Sequence, residues 1–454
     1  MPSATSRQVP SADRHGGVTG RSVVVLLIAC VVSPRIACGQ EKAPTPSAAA
    51  DVKATRRAWM NAPANKQAAW QGERDAIRNI DLSSDTTRQV VIARGGPEPE
   101  AYHAHPTTTL LADDRTMFCV WNIGHGGHAG PMARSDDGGL TWTRIDAMLP
   151  PNYVNFRNCP SVYRITDPQG RERLWVFAAR TASPDKVKRD VAGRLQGYMP
   201  RVVSEDDGKT WREEPPLGPL EAQAATKEWL LNPFRCIMTF SSIVRLKDGA
   251  SLGMFHRGSG VGEEGTLQVL QSVTLDGGFT WSEPVIACDG TQLDGKHPCE
   301  PCVFRSPDGA ELCCLMRENR RSGTSLVMFS RDEGRSWSRA ADAPWGLTGD
   351  RHHCLPLPDG RLVIVFRNAS PHARDKAGFI AWVGTYDDIR QGRPGQYRVS
   401  LLKTVKDGFY PGIHLLPDDT IVATTYATYR AEDVGCSIVS VRFRIGEIDA
   451  LAKR

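Results

Sequence analysis

Two short segments hold residues whose types and spacing could do chemistry. The first is Cys299-Glu300-Pro301-Cys302, whose two thiols stand three positions apart, the spacing of a metal or redox pair. No second pair at that spacing and no nearby histidine pair completes a zinc site, and the stretch reads as a strand, so the thiols are read as structural. Glu300 is different, because a carboxylate in an apolar strand is costly to bury without a partner, and this favours a functional role. The second segment is Trp121-Asn-Ile-Gly-His-Gly-Gly-His-Ala-Gly130. Histidine titrates near neutrality, so His125 or His128 could act as a general acid, or the two could simply contact a ligand. Their spacing also suggests a metal, but flexible glycines and the lack of a third ligand argue against one.

The elements that must position these residues come from a repeat. From about residue 88 to about residue 445 the chain consists of short apolar runs separated by Asp-Gly turns, an all-β pattern. One motif recurs four times, as Ser135-Asp-Asp-Gly-Gly-Leu-Thr-Trp142, Ser204-Glu-Asp-Asp-Gly-Lys-Thr-Trp211, Thr274-Leu-Asp-Gly-Gly-Phe-Thr-Trp281 and Ser330-Arg-Asp-Glu-Gly-Arg-Ser-Trp337. It specifies a hairpin: Asp caps the turn, Gly takes a positive φ, and the hydroxyl and Trp lock the returning strand. Its aspartates are therefore structural. A second series of strand pairs turns at Asp248-Gly249, Asp308-Gly309, Asp359-Gly360 and Asp418-Asp419, with earlier equivalents beginning near Pro106 and Pro160. That brings the count to six four-stranded units, spaced as propeller blades are. The fifth carries only a degenerate motif, Thr385-Tyr-Asp-Asp388, and the sixth none. The early run Gln89–Ala93 is expected to complete the last blade and remove an open edge.

Around this repeat the boundaries are residues 1–39 as a signal peptide, 40–87 as a linker with a short helix, 88–446 as the propeller and 447–454 as a tail. The signal is read from Arg7, Arg14 and Arg21, the apolar stretch Val23 to Ser33, and Ala37-Cys38-Gly39. That stretch is too short to span a bilayer. A lipid on Cys38 or Cys30 is an alternative, but Arg35 stands where such a signal usually has leucine. The expected location is therefore secreted or periplasmic, and some of the ten remaining cysteines are expected to pair. A net charge of +5, spread along the chain rather than clustered, argues against a nucleic-acid surface.

Four boxes of the form Ser/Thr-x-Asp-x-Gly-x-Thr/Ser-Trp in a six-bladed count resemble the Asp-box, BNR-repeat propellers of the sialidase superfamily, over about residues 95 to 445. The resemblance implies a tyrosine nucleophile, a glutamate that takes its proton, and arginines that grip a substrate carboxylate. A neutral tyrosine suits an anomeric carbon that already carries a carboxylate, because a carboxylate nucleophile would approach against like charge. Carried over, the nucleophile falls on Tyr410 in Tyr410-Pro-Gly-Ile-His-Leu-Leu-Pro-Asp-Asp419, and its partner on Glu300 in Glu300-Pro-Cys-Val-Phe304. One arginine falls on Arg317, which ends the strand after Asp308-Gly309. Another falls on Arg367 or Arg374, of which Arg374 is preferred by its distance past the strand.

Two departures stand out. Where the family has an arginine opening the first blade, this chain has Tyr102-His-Ala-His-Pro106, and where it has an acid/base aspartate, the His125–His128 segment has none. Arg157, Arg235 and Arg351 are second-rank candidates to replace the missing arginine. The implied function is a sialidase-like exo-glycoside hydrolase that removes a terminal acidic sugar, sialic acid or a relative, acts as a monomer on a glycan or glycoconjugate, and needs no cofactor or metal. The alternative is a noncatalytic glycan-binding propeller.

Overall fold

The computed structural model describes residues 58–97, 99–181, 194–223, 237–259, 266–373, 378–404, 408–428, 430 and 435–453. Arg235, Cys236, Arg374 and the expected signal peptide lie outside the described residues.

The repeat builds six sheets, each a blade with four antiparallel strands. The innermost strands are His103–Leu110, Ser161–Thr166, Ser242–Arg245, Pro298–Arg305, Gly349–Pro356 and Gly412–Leu415. The same local chemistry ends all six. Asp113, Asp167, Asp248, Asp308, Asp359 and Asp418 each accept the backbone N–H two residues ahead, which turns the chain into the second strand. Gln89–Ala93 pairs antiparallel with Ser437–Arg444, so the expected strand from the N-terminal side closes the sixth blade.

The Asp boxes form as their sequence dictates. In the second blade the Asp206 carboxylate accepts from Ser204 Oγ at 2.8 Å and Thr210 Oγ1 at 2.6 Å, and Trp211 Nε1 donates to Gly208 O at 3.2 Å. Gly208 has φ 79°, and a Cβ there would lie 2.2 Å from the Phe118 ring of the first blade, so glycine serves both the turn and the packing between blades. Partial burial pulls the Asp206 carboxyl upward, but these donors outweigh it and hold it at about 2. An acid that stays ionised in this way is a brace. Asp206→Ala is expected to lower stability by about 1–2 kcal/mol and to leave the pH dependence of any activity unchanged; a denaturant melt beside a pH–rate profile checks both.

Two expectations are corrected. Thr385-Tyr-Asp-Asp388 is no box hairpin: Thr385 caps the helix Tyr386–Arg390 in a capping box with Asp388. Thr-x-x-Asp without the glycine and tryptophan satisfies helix N-termini, not a turn needing positive φ. Nor do the described cysteines pair; all nine are free, and eight are buried. They serve as small apolar residues within the blades.

The segment read as a linker is bound to the propeller. Helix Ala64–Ala76 buries Trp70 in the core cluster that also holds Trp345 and Trp382, and Glu73 Oε2 accepts the Trp345 N–H at 2.8 Å. Residues Arg78–Asp81 then add a fifth, parallel strand to the fifth blade, beside Tyr397–Lys403. The last segment, Ile445–Ala452, is a helix that buries Ile448 against the fifth and sixth blades. Among the described residues no helix is long and apolar enough to cross a membrane.

Candidate active site

The six turn aspartates provide a ruler. Eight residues before them stand His105, Cys159, Phe240, Glu300, Arg351 and Tyr410, one at the start of each blade and all buried. His105, Cys159, Glu300 and Arg351 have positive φ values of 50–59°. The pairing register slips beside three of them, between Ala104 and Thr107, Cys299 and Cys302, and Asp350 and His353. A bulge with a left-handed residue turns a side chain out of the strand's alternation. Here it gathers side chains from successive blades into one bowl at the start of the inner strands. A separate cavity of about 360 Å³ lies further along the same strands, among Thr108, Arg164, Glu172, His353 and His414, and holds none of these six residues.

Within the bowl the Tyr410 hydroxyl donates to Glu300 Oε1. Arg317 Nη1 donates to the same Oε1 at 2.9 Å and to the Tyr410 oxygen at 3.2 Å. Three residues placed together by sequence reasoning, 110 positions apart at the widest, thus meet in one hydrogen-bonded group. Burial pulls the Glu300 carboxyl upward, yet Arg317, the Tyr410 bond and Arg367 outweigh it and hold it below the usual carboxylate range. Burial and the Glu300 charge raise the Tyr410 hydroxyl well above its ordinary value. At neutral pH the pair is therefore a phenol beside a carboxylate, the relation a nucleophile and its base would need. Glu300 Oε2 is buried and accepts no bond from the described residues.

Behind this group lies a residue the sequence reading missed. Asp350 is wholly buried and accepts both terminal nitrogens of Arg321, at 2.5 and 2.6 Å, and Arg367 Nε at 2.7 Å, while Arg317 Nε lies 3.3 Å away. These guanidinium groups overcome the effect of burial and hold its carboxyl well below the ordinary value. Arg367 also lies over the Tyr410 ring, 5.1 Å from its centre. Arg351 reaches the site from beneath: it is 1% exposed, donates to Ser241 Oγ at 2.7 Å and Ser161 Oγ at 3.0 Å, and lies 5.9 Å from the Tyr410 ring centre. It braces the floor across the second and third blades.

The first blade puts His105 at its opening, in the segment that lacks the arginine the resemblance implies. Its ring lies 4.8 Å from that of Tyr410 and 4.7 Å from that of His125, so His125 stands one ring removed from the tyrosine. His128 is exposed and points elsewhere: Nδ1 lies 3.1 Å from the Val154 carbonyl, and Nε2 accepts from Arg157 at 2.7 Å. That arrangement assigns the tautomer with hydrogen on Nδ1. Arg157 is thus held at the rim by His128. The fixed eight-residue register would have revealed His105, and it places Arg351 level with Glu300; Asp350 and Arg321 left no comparable signal.

His256 supports Glu300 from the third blade by accepting its backbone N–H at Nδ1, 3.1 Å away. Burial drives its pKa down to about 3 against the pull of Glu300, with Arg317 and Arg351 adding to the shift; burial and Arg320 likewise bring His297 down to about 4. Unfolded histidine takes a proton near pH 6.5. The unfolded chain therefore binds protons that the native chain refuses, and stability falls as pH drops below about 6.5. Melting temperatures are expected to decline between pH 7 and 5, above the carboxylate range. A flat curve there would contradict the neutral assignment.

Residues 158–381 match the BNR repeat-like domain family. The chain is a six-bladed β-propeller with a BNR repeat-like domain. Among solved structures this propeller resembles a protein of unknown function from Dyadobacter fermentans DSM 18053, at 17% identity over 78% of this chain and 97% of that one, with a TM-score of 0.57. It resembles the alpha-L-arabinofuranosidase of Fusarium graminearum at 11% identity, over 79% and 99% of the two chains, with a TM-score of 0.54. The NanB sialidase of Streptococcus pneumoniae aligns at 12% identity over 79% and 71%, with a TM-score of 0.51. No curated protein matches the propeller in sequence. Its fold is thus shared with glycoside hydrolases of more than one kind.

Proposed function

We propose that this propeller is an exo-acting glycoside hydrolase that releases a terminal acidic sugar, sialic acid or a relative, from a glycan. The observation that carries the reading is the hydrogen bond from the Tyr410 hydroxyl to Glu300, with Arg317 bonded to both. As the Tyr410 oxygen bonds to the anomeric carbon, its proton passes to Glu300 and the glycosidic oxygen departs with a proton from a general acid. Water then releases the sugar from tyrosine. His125 is the acid candidate, one ring removed from Tyr410.

The acidic sugar draws support from the charge of the bowl. Arg317, Arg321 and Arg367 gather about Asp350, Arg317 also bonds Glu300, and Arg351 lies 5.9 Å from the Tyr410 ring centre, a concentration of guanidinium groups suited to an anion. Release of sugar from a panel of fluorogenic sialosides, uronides and neutral glycosides tests the reading, with Tyr410→Phe assayed beside the wild type. Glycan binding without turnover in both proteins would replace the enzyme with a binding propeller. Export is part of the same proposal and rests on the N-terminal arginines and apolar run; a recovered extracellular or periplasmic protein should begin after residue 39.

A further inference from the structure

Of the three arginines around Asp350, the resemblance implies Arg317 as a holder of a substrate carboxylate and offers Arg367 as the less preferred of two further candidates, the other being Arg374. A planar fork of guanidinium donors is matched to a carboxylate, and here the chain supplies one from the start of its fifth blade. An acid that only braced one arginine would need one partner. Asp350 has three, from two blades: Arg317 and Arg321 from the fourth and Arg367 from its own neighbouring strand, where it pairs with Asp350 in register. The bidentate contact with Arg321 fixes its orientation, so Asp350 cannot turn away without stranding that guanidinium.

We propose that Asp350 is a specificity-determining residue, an internal carboxylate that occupies the arginine cluster and competes with the carboxylate of an acidic sugar for Arg317 and Arg367. The identity of that competitor rests on the function proposed above, whereas the competition is a property of the cluster itself. Acidic sugars are consequently held more loosely than three arginines alone would hold them. Removing the Asp350 charge tightens the grip on a carboxylate and leaves neutral ligands unaffected. A purely supporting role predicts the reverse, since arginines released from their anchor would bind less well.

Acetate is the probe, because it fits a carboxylate site whatever sugar the enzyme takes. In calorimetric titrations of the full-length protein, Asp350→Asn is expected to bind acetate at least about tenfold more tightly than the wild type. In melts at matched ionic strength, acetate in place of chloride should raise the melting temperature of Asp350→Ala, by filling the vacated position, and leave that of the wild type unchanged. If Asp350→Ala does not stay folded, its refolding yield in acetate against chloride gives the same reading. Acetate bound no more tightly by Asp350→Asn, or without effect on Asp350→Ala, overturns the proposal. A wild type that turns over no glycoside overturns the proposed hydrolase instead, and the acetate comparison still stands.

Discussion

Tyr410→Phe is expected to lower glycoside turnover by about a thousandfold or more, the scale on which losing a nucleophile acts, while the protein stays folded. The substitution removes one oxygen and keeps the ring, which is 6% exposed and packed among His105, Arg351 and Arg367. The Glu300 carboxylate keeps its bond from Arg317 at 2.9 Å, so the cost to stability should be about 1 kcal/mol. A large kinetic loss with a small shift in melting temperature therefore separates chemistry from support. Wild-type turnover by the variant would end the case for a tyrosine nucleophile and shift attention to Glu300 acting directly.

Arg317→Met should show the second large effect, on stability and on pH dependence together. Methionine keeps length and apolar bulk but removes the donor to Glu300 and Tyr410 and the charge beside Asp350. Breaking a buried ion pair from one side typically costs about 3 kcal/mol or more, and Asp350 keeps Arg321 and Arg367 as partial compensation. Without Arg317 the effect of burial on Glu300 is less opposed, so its carboxyl shifts upward. In the wild type, the stability Glu300 contributes is present above its unfolded value, near 4.3, and lost as pH falls through the lower folded value. In the variant both this loss and the acid limb of kcat/KM move to higher pH. A pH–rate profile whose acid limb stays in place would show that Arg317 does not set the charge of Glu300.

The local architecture of this propeller is written in short-range rules. Asp206 and Gly208 specify a box hairpin through bonds within eight residues, and Asp308 turns the next hairpin through an amide two residues away. These signals repeat, so blade number, strand order and closure by Gln89–Ala93 could be read before any geometry was known. Tyr410, Glu300 and Arg317 were singled out through the resemblance carried by the repeat, and hydrogen bonds join these three side chains in one group. The same rules misread Thr385, where one short pattern serves two local structures, and they assumed disulfides from the expected compartment rather than from the positions of the thiols.

What the tertiary structure decided is which side chains meet on the axis. Asp350 finds Arg321 and Arg317 on another blade, 29 and 33 residues earlier in the chain, and no local pattern announces that pairing. His105 turns toward Tyr410, and Arg351 beneath it, at left-handed residues beside slips in strand register. The reason is physical: a hairpin is stabilised by neighbours in sequence, whereas the charge balance of a buried bowl is fixed only when six distant strand ends converge and each ionised group must find its partner out of water.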